Sequence, residues 1–339
     1  MLKVFHITFL NIFLIFLTSF FVFVSITSVV KAQNFAPNIE WQKSFGGRES
    51  DYAYSIQQTS DLGYIIAGRS DSNDGDVKGN HGYADYWIVK LDKQGTLQWQ
   101  KSLGGRDFDL ANNIQQTSDG GYIIAGYSGS NDGNAMMNHW AFDYWIVKLD
   151  SQGNIQWQKF FGGSGYDYAN SIQQTSDGGY IIAGNSDSKD GDVKRNHGKV
   201  DYWILKLDSL GTLQWQKSLG GSRWDYAHSI QQTSDGGYII SGISESNDGD
   251  VTGNHGDGDY WIVKLDSQGN IQWQKSLGGS KHDLASSIQQ TSDGGYIIAG
   301  RSESNDGDVT GNHGKFDYWI VKLQGQENVQ KRQSIMGRD

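Results

Sequence analysis

A block of 58 residues recurs five times in this chain without insertion, and that fixed period constrains the fold more than any other feature. Trp41, Trp99, Trp157, Trp215 and Trp273 head Trp-Gln-Lys triplets 58 residues apart. Trp87, Trp145, Trp203, Trp261 and Trp319 form a second ladder inside Asp-Tyr-Trp-Ile-(Val/Leu)-Lys-Leu; only Trp140 and Trp224 fall outside both. A constant period of this length means one supersecondary unit copied along the chain. No linker interrupts Trp41–Leu323.

The stretch Thr117-Ser-Asp-Gly-Gly-Tyr-Ile-Ile-Ala-Gly126 returns at 59–68, 175–184, 233–242 and 291–300, with Leu62 and Ser241 as its only departures. It reads as a β-hairpin, a polar turn followed by a strand rich in Ile and Tyr. Leucine resists positive φ. Leu62 therefore argues against a two-residue Asp-Gly turn and places the left-handed residue on the second glycine (Gly63, Gly121, Gly179, Gly237, Gly295), in a type I turn with a glycine bulge.

Each unit reads as four strands. In the second they are the short polar Ile114–Thr117, the apolar Tyr122–Gly126, the apolar Tyr144–Leu149 and the alternating Ile155–Lys159, with a turn at Asp150–Gly153. Helical periodicity is absent after residue 32. Strands apolar on both faces need cover on both faces, and four-stranded sheets stacked face to face are propeller blades. The fold class predicted is all-β: a five-bladed β-propeller over residues 33–324. The Gln-Gln strand lines a wet channel, and the Trp strand lies outermost. A β-helix is the runner-up, with rungs shorter than these units. The chain starts with a fourth strand, and Lys331 stands where the next Trp is due. Ile39–Ser44 is thus expected to complete the last blade and remove its exposed edge. Residues 325–339 read as a polar tail.

Residues 1–32 stand apart. Lys3 precedes the uncharged run Ile7–Val30, and Val30-Lys31-Ala32 suits a signal-peptidase cut before Gln33. The run is also long enough to span a bilayer, so an N-terminal membrane anchor is the alternative, and only then is a membrane a partner. Either way the remainder is exported: extracellular, periplasmic or at the cell surface. The net charge of −10 leaves no basic stripe for nucleic acid. With no Cys there is no disulfide framework.

The loops joining strands two to three and four to one share one face, and that face is the functional candidate. Asp51, Asp109, Asp167, Asp225 and Asp283 recur before the first strand. They can form a ring of carboxylates at the channel mouth, or serve as turn-forming Asp. Aromatics that vary beside them (Tyr52, Phe108, Tyr166, Trp224) suit sugar rings, which offer C–H faces and hydroxyls. The two-to-three loops offer hard oxygens for calcium: Asp74, Asp76 and Asn80, then Asp190, Asp192, Asp248, Asp250, Asp306 and Asp308. Asx-turns are the other reading of those residues. His81, His139, His197, His255 and His313 recur once per unit on separate loops and do not converge as zinc ligands. The Trp ladders read as blade-to-blade packing. No catalytic residue is assigned.

Thr117, Asp119 and Gly121 partly resemble the Asp-box hairpin of sialidase-like propellers, Ser/Thr-x-Asp-x-Gly-x-x-aromatic, with Ile124 at the aromatic position. That resemblance implies a structural turn. The fuller set over Ile39–Leu323 is Trp-Gln-Lys-x-(Phe/Leu)-Gly-Gly, Ser-Asp-Gly-Gly-Tyr-Ile-Ile-Ala-Gly and Asp-Tyr-Trp-Ile-Val-Lys-Leu. It is similar to exported bacterial repeat proteins, some of them labelled lipoprotein or endoglucanase. The expected function is a non-catalytic binding module for an extracellular glycan or surface protein, as five-bladed lectins illustrate, using many weak sites at once. One alternative is a glycoside hydrolase, which needs two carboxylates in unlike environments; Glu49 and Asp257 are unshared acids. The other is a protein-docking scaffold using Met136, Met137 and Trp140.

Overall fold

The computed structural model describes residues 36–325 except Met137 and Trp140. A short unit ends at Glu40, and the body runs from Trp41 onward. The N-terminal segment, the tail beyond Gly325, Met137 and Trp140 lie outside the described residues, so the signal-peptide, anchor and tail expectations concern parts not described.

The body is all-β, with antiparallel strands in consecutive order within each sheet. Sheet 1 holds β1 (Asp51–Gln58), β2 (Tyr64–Ser70), β3 (Asp85–Leu91) and β4 (Leu97–Leu103). Sheet 2 holds β5 (Asp109–Gln116), β6 (Tyr122–Ser128), β7 (Asp143–Leu149) and β8 (Ile155–Phe161). Sheet 3 holds β9 (Asp167–Gln174), β10 (Tyr180–Ser186), β11 (Asp201–Leu207) and β12 (Leu213–Leu219). Sheet 4 holds β13 (Asp225–Gln232), β14 (Tyr238–Ser244), β15 (Asp259–Leu265) and β16 (Ile271–Leu277). Sheet 5 has three strands, β17 (Asp283–Gln290), β18 (Tyr296–Ser302) and β19 (Asp317–Leu323).

One recipe joins each sheet to the next. Tyr86 and Ile88 of β3 pack on Trp145, Val147 and Leu149 of β7, and Tyr86 Oη donates to Trp145 O at 2.9 Å. The same bond links Tyr144 to Trp203, Tyr202 to Trp261 and Tyr260 to Trp319. Trp99 meets Tyr122 edge-on with ring centres 5.8 Å apart. Along the inner strands Gln57 Oε1 accepts from Gln116 N at 2.6 Å, and the bond recurs at each later junction. Gln115, Gln173, Gln231 and Gln289, one from each of sheets 2–5, line a common cavity of about 280 Å³. The polar strand is therefore innermost.

The hairpin turn differs from expectation in one respect. It is a type I turn, with Leu62 N donating to Thr59 O and Thr59 N to Gly63 O. The left-handed residue, however, is Leu62 itself (φ 67°), and Gly120, Gly178, Gly236 and Gly294 in the other copies. The second glycine has another reason to be invariant. A Cβ on Gly121 would stand 2.3 Å from Leu149 O and 2.5 Å from Lys148 Nζ. That buried lysine of β7 bonds Asp119 Oδ2 at 2.9 Å and Leu149 O at 3.0 Å.

The expected fourth strand of sheet 5 is not formed. Among the described residues no strand borders β19, and Tyr318 is 94% exposed. Trp41 sits on sheet 1, edge-on to Tyr64 at 5.6 Å, as Trp99 of sheet 1 sits on sheet 2. A joint between the first residues of the body and β19 would be the one most distant in sequence, so it would close the largest loop of chain.

Candidate functional site

The loop face is built from interlocked turns. In the loop between sheets 1 and 2, Gly105 N donates to Asp109 Oδ2 at 2.8 Å, Arg106 N to Asp132 Oδ1 at 2.8 Å and Asp107 N to Ser130 Oγ at 2.9 Å. Ser130 Oγ donates back to Asp109 Oδ2 at 2.9 Å. Asp51, Asp167, Asp225 and Asp283 receive the equivalent glycine N–H. The carboxylates of the recurring Asp series thus point into their own loops, and all but Asp51 are fully buried. Burial pushes the carboxyls of Asp109 and Asp167 up to about 6 against serine and glycine bonds that lower them, with a smaller push from Asp85 and Asp143.

The two-to-three loop acids cap backbone of the loop beside them. Asp74 accepts from Arg48 N at 2.9 Å and Asp76 from Gly46 N at 3.2 Å. Asp190, Asp192, Asp248, Asp250, Asp306 and Asp308 do likewise. Asn80 Nδ2 donates to Ser70 O at 2.9 Å. Each carboxylate faces its own N–H, so the set diverges; among the described residues no three His, Cys, Asp or Glu stand together as a cation site. The recurring histidines pair with the Asp four residues on, as His81 Nδ1 does with Asp85 Oδ2 at 2.6 Å.

Against this uniform frame a few positions vary between copies, and the fold gathers them. The residue before the inner strand is Ser50, Phe108, Tyr166, Trp224 or His282; the sixth residue of the second strand is Arg69, Tyr127, Asn185, Ile243 or Arg301. The residues just before the third strand run Tyr83-Ala84, Ala141-Phe142, Lys199-Val200, Asp257-Gly258 and Lys315-Phe316. Short parallel bridges (Ala84 to Phe108, Val200 to Trp224, Gly258 to His282) bring them together at three of the four junctions. Tyr83 stacks on Phe108 with centres 5.4 Å apart. Tyr127, Phe142, Tyr166 and Tyr168 form a cluster with neighbouring centres 4.6–6.1 Å apart. Lys199 Nζ lies 3.4 Å from the centre of the Trp224 ring, and Arg301 lies over Phe316 at 4.9 Å.

These clusters stand where the inner strands begin, at the opposite end of those strands from Gln115, Gln173, Gln231 and Gln289. Tyr166 is 50% and Trp224 37% exposed, so each keeps an aromatic surface in water. Tyr52 stacks on Tyr54 with centres 6.2 Å apart. Phe142, Tyr127 and Lys199 were not singled out from sequence; the signal was present as variation between copies at fixed offsets. Trp140 falls outside the described residues, and Met136 is exposed.

No protein-family profile matches the chain. Regulatory protein FlaEY of Caulobacter vibrioides is 32% identical over 143 residues, 37% of this chain and 14% of that protein; the chain thus matches a small fraction of that relative's length. Similar solved structures include an apocarotenoid oxygenase mutant of Synechocystis (TM-score 0.42, 15% identity, 80% of this chain and 64% of that one). The Pan2 WD40 domain of Neurospora crassa gives a TM-score of 0.38 at 10% identity, over 73% of this chain and 72% of that one. A GH43_12 protein retrieved from a capybara gut metagenome gives 0.38 at 13% identity, over 79% and 50%.

Proposed function

We propose that this chain is an exported, non-catalytic binding module that holds glycan on the aromatic rim of its loop face. The observation that carries the reading is the division of labour among repeats. Strands, hairpins and loop clasps are near-identical, while the positions that differ converge on one rim rich in Tyr, Phe and Trp. Aromatic faces bind the C–H faces of sugars, each such contact contributing about 1 kcal/mol, and several weak contacts on one polymer add up. Closure of the five sheets into a five-bladed ring, with Ile39–Ser44 as the outer strand of sheet 5, belongs to the same reading. Calcium through Asp74 and its counterparts is a separate arm of the test.

The test is retention on neutral polysaccharides and on glycan arrays, with and without calcium. Trp224→Ala and Tyr166→Ala are each expected to weaken binding about tenfold, the factor that about 1.4 kcal/mol represents. Equal retention by both variants, or none by the parent, overturns the reading.

A glycoside hydrolase is favoured by one group only. Burial raises the carboxyl of Glu245, whose backbone N donates to Trp224 O at 2.9 Å. Reducing sugar released by the parent and not by Glu245→Gln would establish that alternative.

A further inference from the structure

A cleft of about 580 Å³ lies along β12 between sheets 3 and 4. Lys194, Arg195 and Lys217 line it, with Ser218, Asn270 and one carboxylate, Asp250. That carboxylate is held by Gly220 N at 3.3 Å. Lys217 Nζ is 3.3 Å from Asn270 Oδ1, and the exposed Lys194 and Arg195 have no carboxylate partner within ion-pair distance among the described residues. Ser218 Oγ is buried with no hydrogen-bond partner, whereas its counterpart Ser276 donates to Thr252 O at 2.9 Å. Ser102 shares that unpartnered state, but Lys78-Gly79 beside it supplies one cation and not two.

The paired cations are particular to the third unit. The same two positions hold Lys78-Gly79, Met136-Met137, Thr252-Gly253 and Thr310-Gly311 elsewhere. Gly79, Gly253 and Gly311 take φ of 80–84°, and Arg195 does not, so the loop follows a different path. In a chain of net charge −10 a cleft with three cations is an electrostatic exception. A planar guanidinium beside two ammonium groups and a free hydroxyl is a donor set for an oxyanion.

We propose that this cleft binds the sulfate or carboxylate group of an acidic polysaccharide. It deepens the glycan-binding reading, yet it uses none of the rim aromatics, so the two can fail separately. The probes are dextran sulfate, polygalacturonate and neutral dextran, titrated at low and moderate salt. At least one acidic polymer is expected to bind ten times more tightly than dextran, and to weaken as salt screens the charges. The variant Lys194→Thr with Arg195→Gly installs the loop sequence that the fourth unit already carries, so the fold tolerates it; its thermal transition checks this. It should lose at least tenfold in affinity for the acidic polymer, and Lys217→Gln should lose affinity in the same direction. Lys78→Thr, in the first unit, should leave binding unchanged. Equal binding of dextran, full affinity in the double variant, or an equal loss in Lys78→Thr each overturns the proposal. The last result would mean that charge acts diffusely over the surface.

Discussion

Leu62 shows how one residue can be held against its own preference. It sits at φ 67° where the other four copies have glycine. A left-handed leucine costs roughly 1–2 kcal/mol, and glycine returns part of that through its freer unfolded chain. The Leu62 side chain is exposed, so little packing is lost by removing it. Leu62→Gly is therefore expected to stabilise the protein by about 0.5–1 kcal/mol, seen as a higher urea midpoint; a lower midpoint would mean that Leu62 holds a contact of its own. The buried carboxyls set a pH signature at the same scale. Asp109 and Asp167 release their protons at about pH 6 when folded and near pH 4 when unfolded. Their contribution is complete below pH 4 and is lost as pH rises through 6. Asp61 runs the other way: its bond to Lys90, helped by Thr59, holds it at about 2, so its contribution appears above pH 4 and is lost as pH falls toward 2. The melting temperature should peak near pH 4–5 and decline toward neutrality. Asp109→Asn should flatten that decline, and a curve that rises steadily from pH 4 to 7 would rule the assignment out.

At the scale of the element, each hairpin is pinned to the third strand by one lysine and one aspartate, with unequal surroundings in the first four units. The Lys148 side chain is 3% exposed and the Asp119 side chain 53%. Removing the aspartate strands a buried ammonium, at a cost of about 3 kcal/mol. Removing the lysine leaves a carboxylate that water can reach, at about 1 kcal/mol or less. Asp119→Ala should therefore be clearly more destabilising than Lys148→Met in denaturant titrations, and the reverse order would place the burden on the lysine. Most of these elements were legible in the sequence, because turn residues and the two apolar strands repeat with few departures. The inner strand was read too short. β5 begins at Asp109 and not at Ile114, because a bulge between Ala111 and Asn113 interrupts its alternation. The loop clasps were legible as recurring Asp but not as buried Asp, since burial depends on Ser130 and Gly105, which bond that carboxylate from other turns. The rim was the least legible part. Tyr127, Phe142 and Tyr166 stand at different offsets in the repeat, marked in the sequence only by variation between copies, and the fold makes them neighbours.

At the scale of the molecule, the two ends of the stack carry the unmatched halves of one repeated joint. Tyr318 and Ile320 of β19 are exposed, while their counterparts Tyr86 and Ile88 are buried against the next sheet. Trp87, Val89 and Leu91 on sheet 1 form the surface that a preceding Tyr and Ile would cover, and Phe45 already packs beside them. Moved by whole repeats, the pairing of Ile88 with Lys101 and Trp87 with Ser102 in sheet 1 becomes Ile320 with Lys43 and Trp319 with Ser44. The chain has no Cys, so a single engineered pair gives an unambiguous readout. In a closed ring, Ile320→Cys with Lys43→Cys brings the two sulfurs within disulfide reach, since directly opposed residues of antiparallel strands have Cα atoms roughly 4.5–5.5 Å apart. Oxidation at low protein concentration should then yield a cross-linked monomer, with a melting temperature that drops on reduction. A ladder of disulfide-linked multimers would mean that the ends meet between chains. Two free thiols in a folded monomer would mean that the stack stays open, with the rim an arc and not a ring.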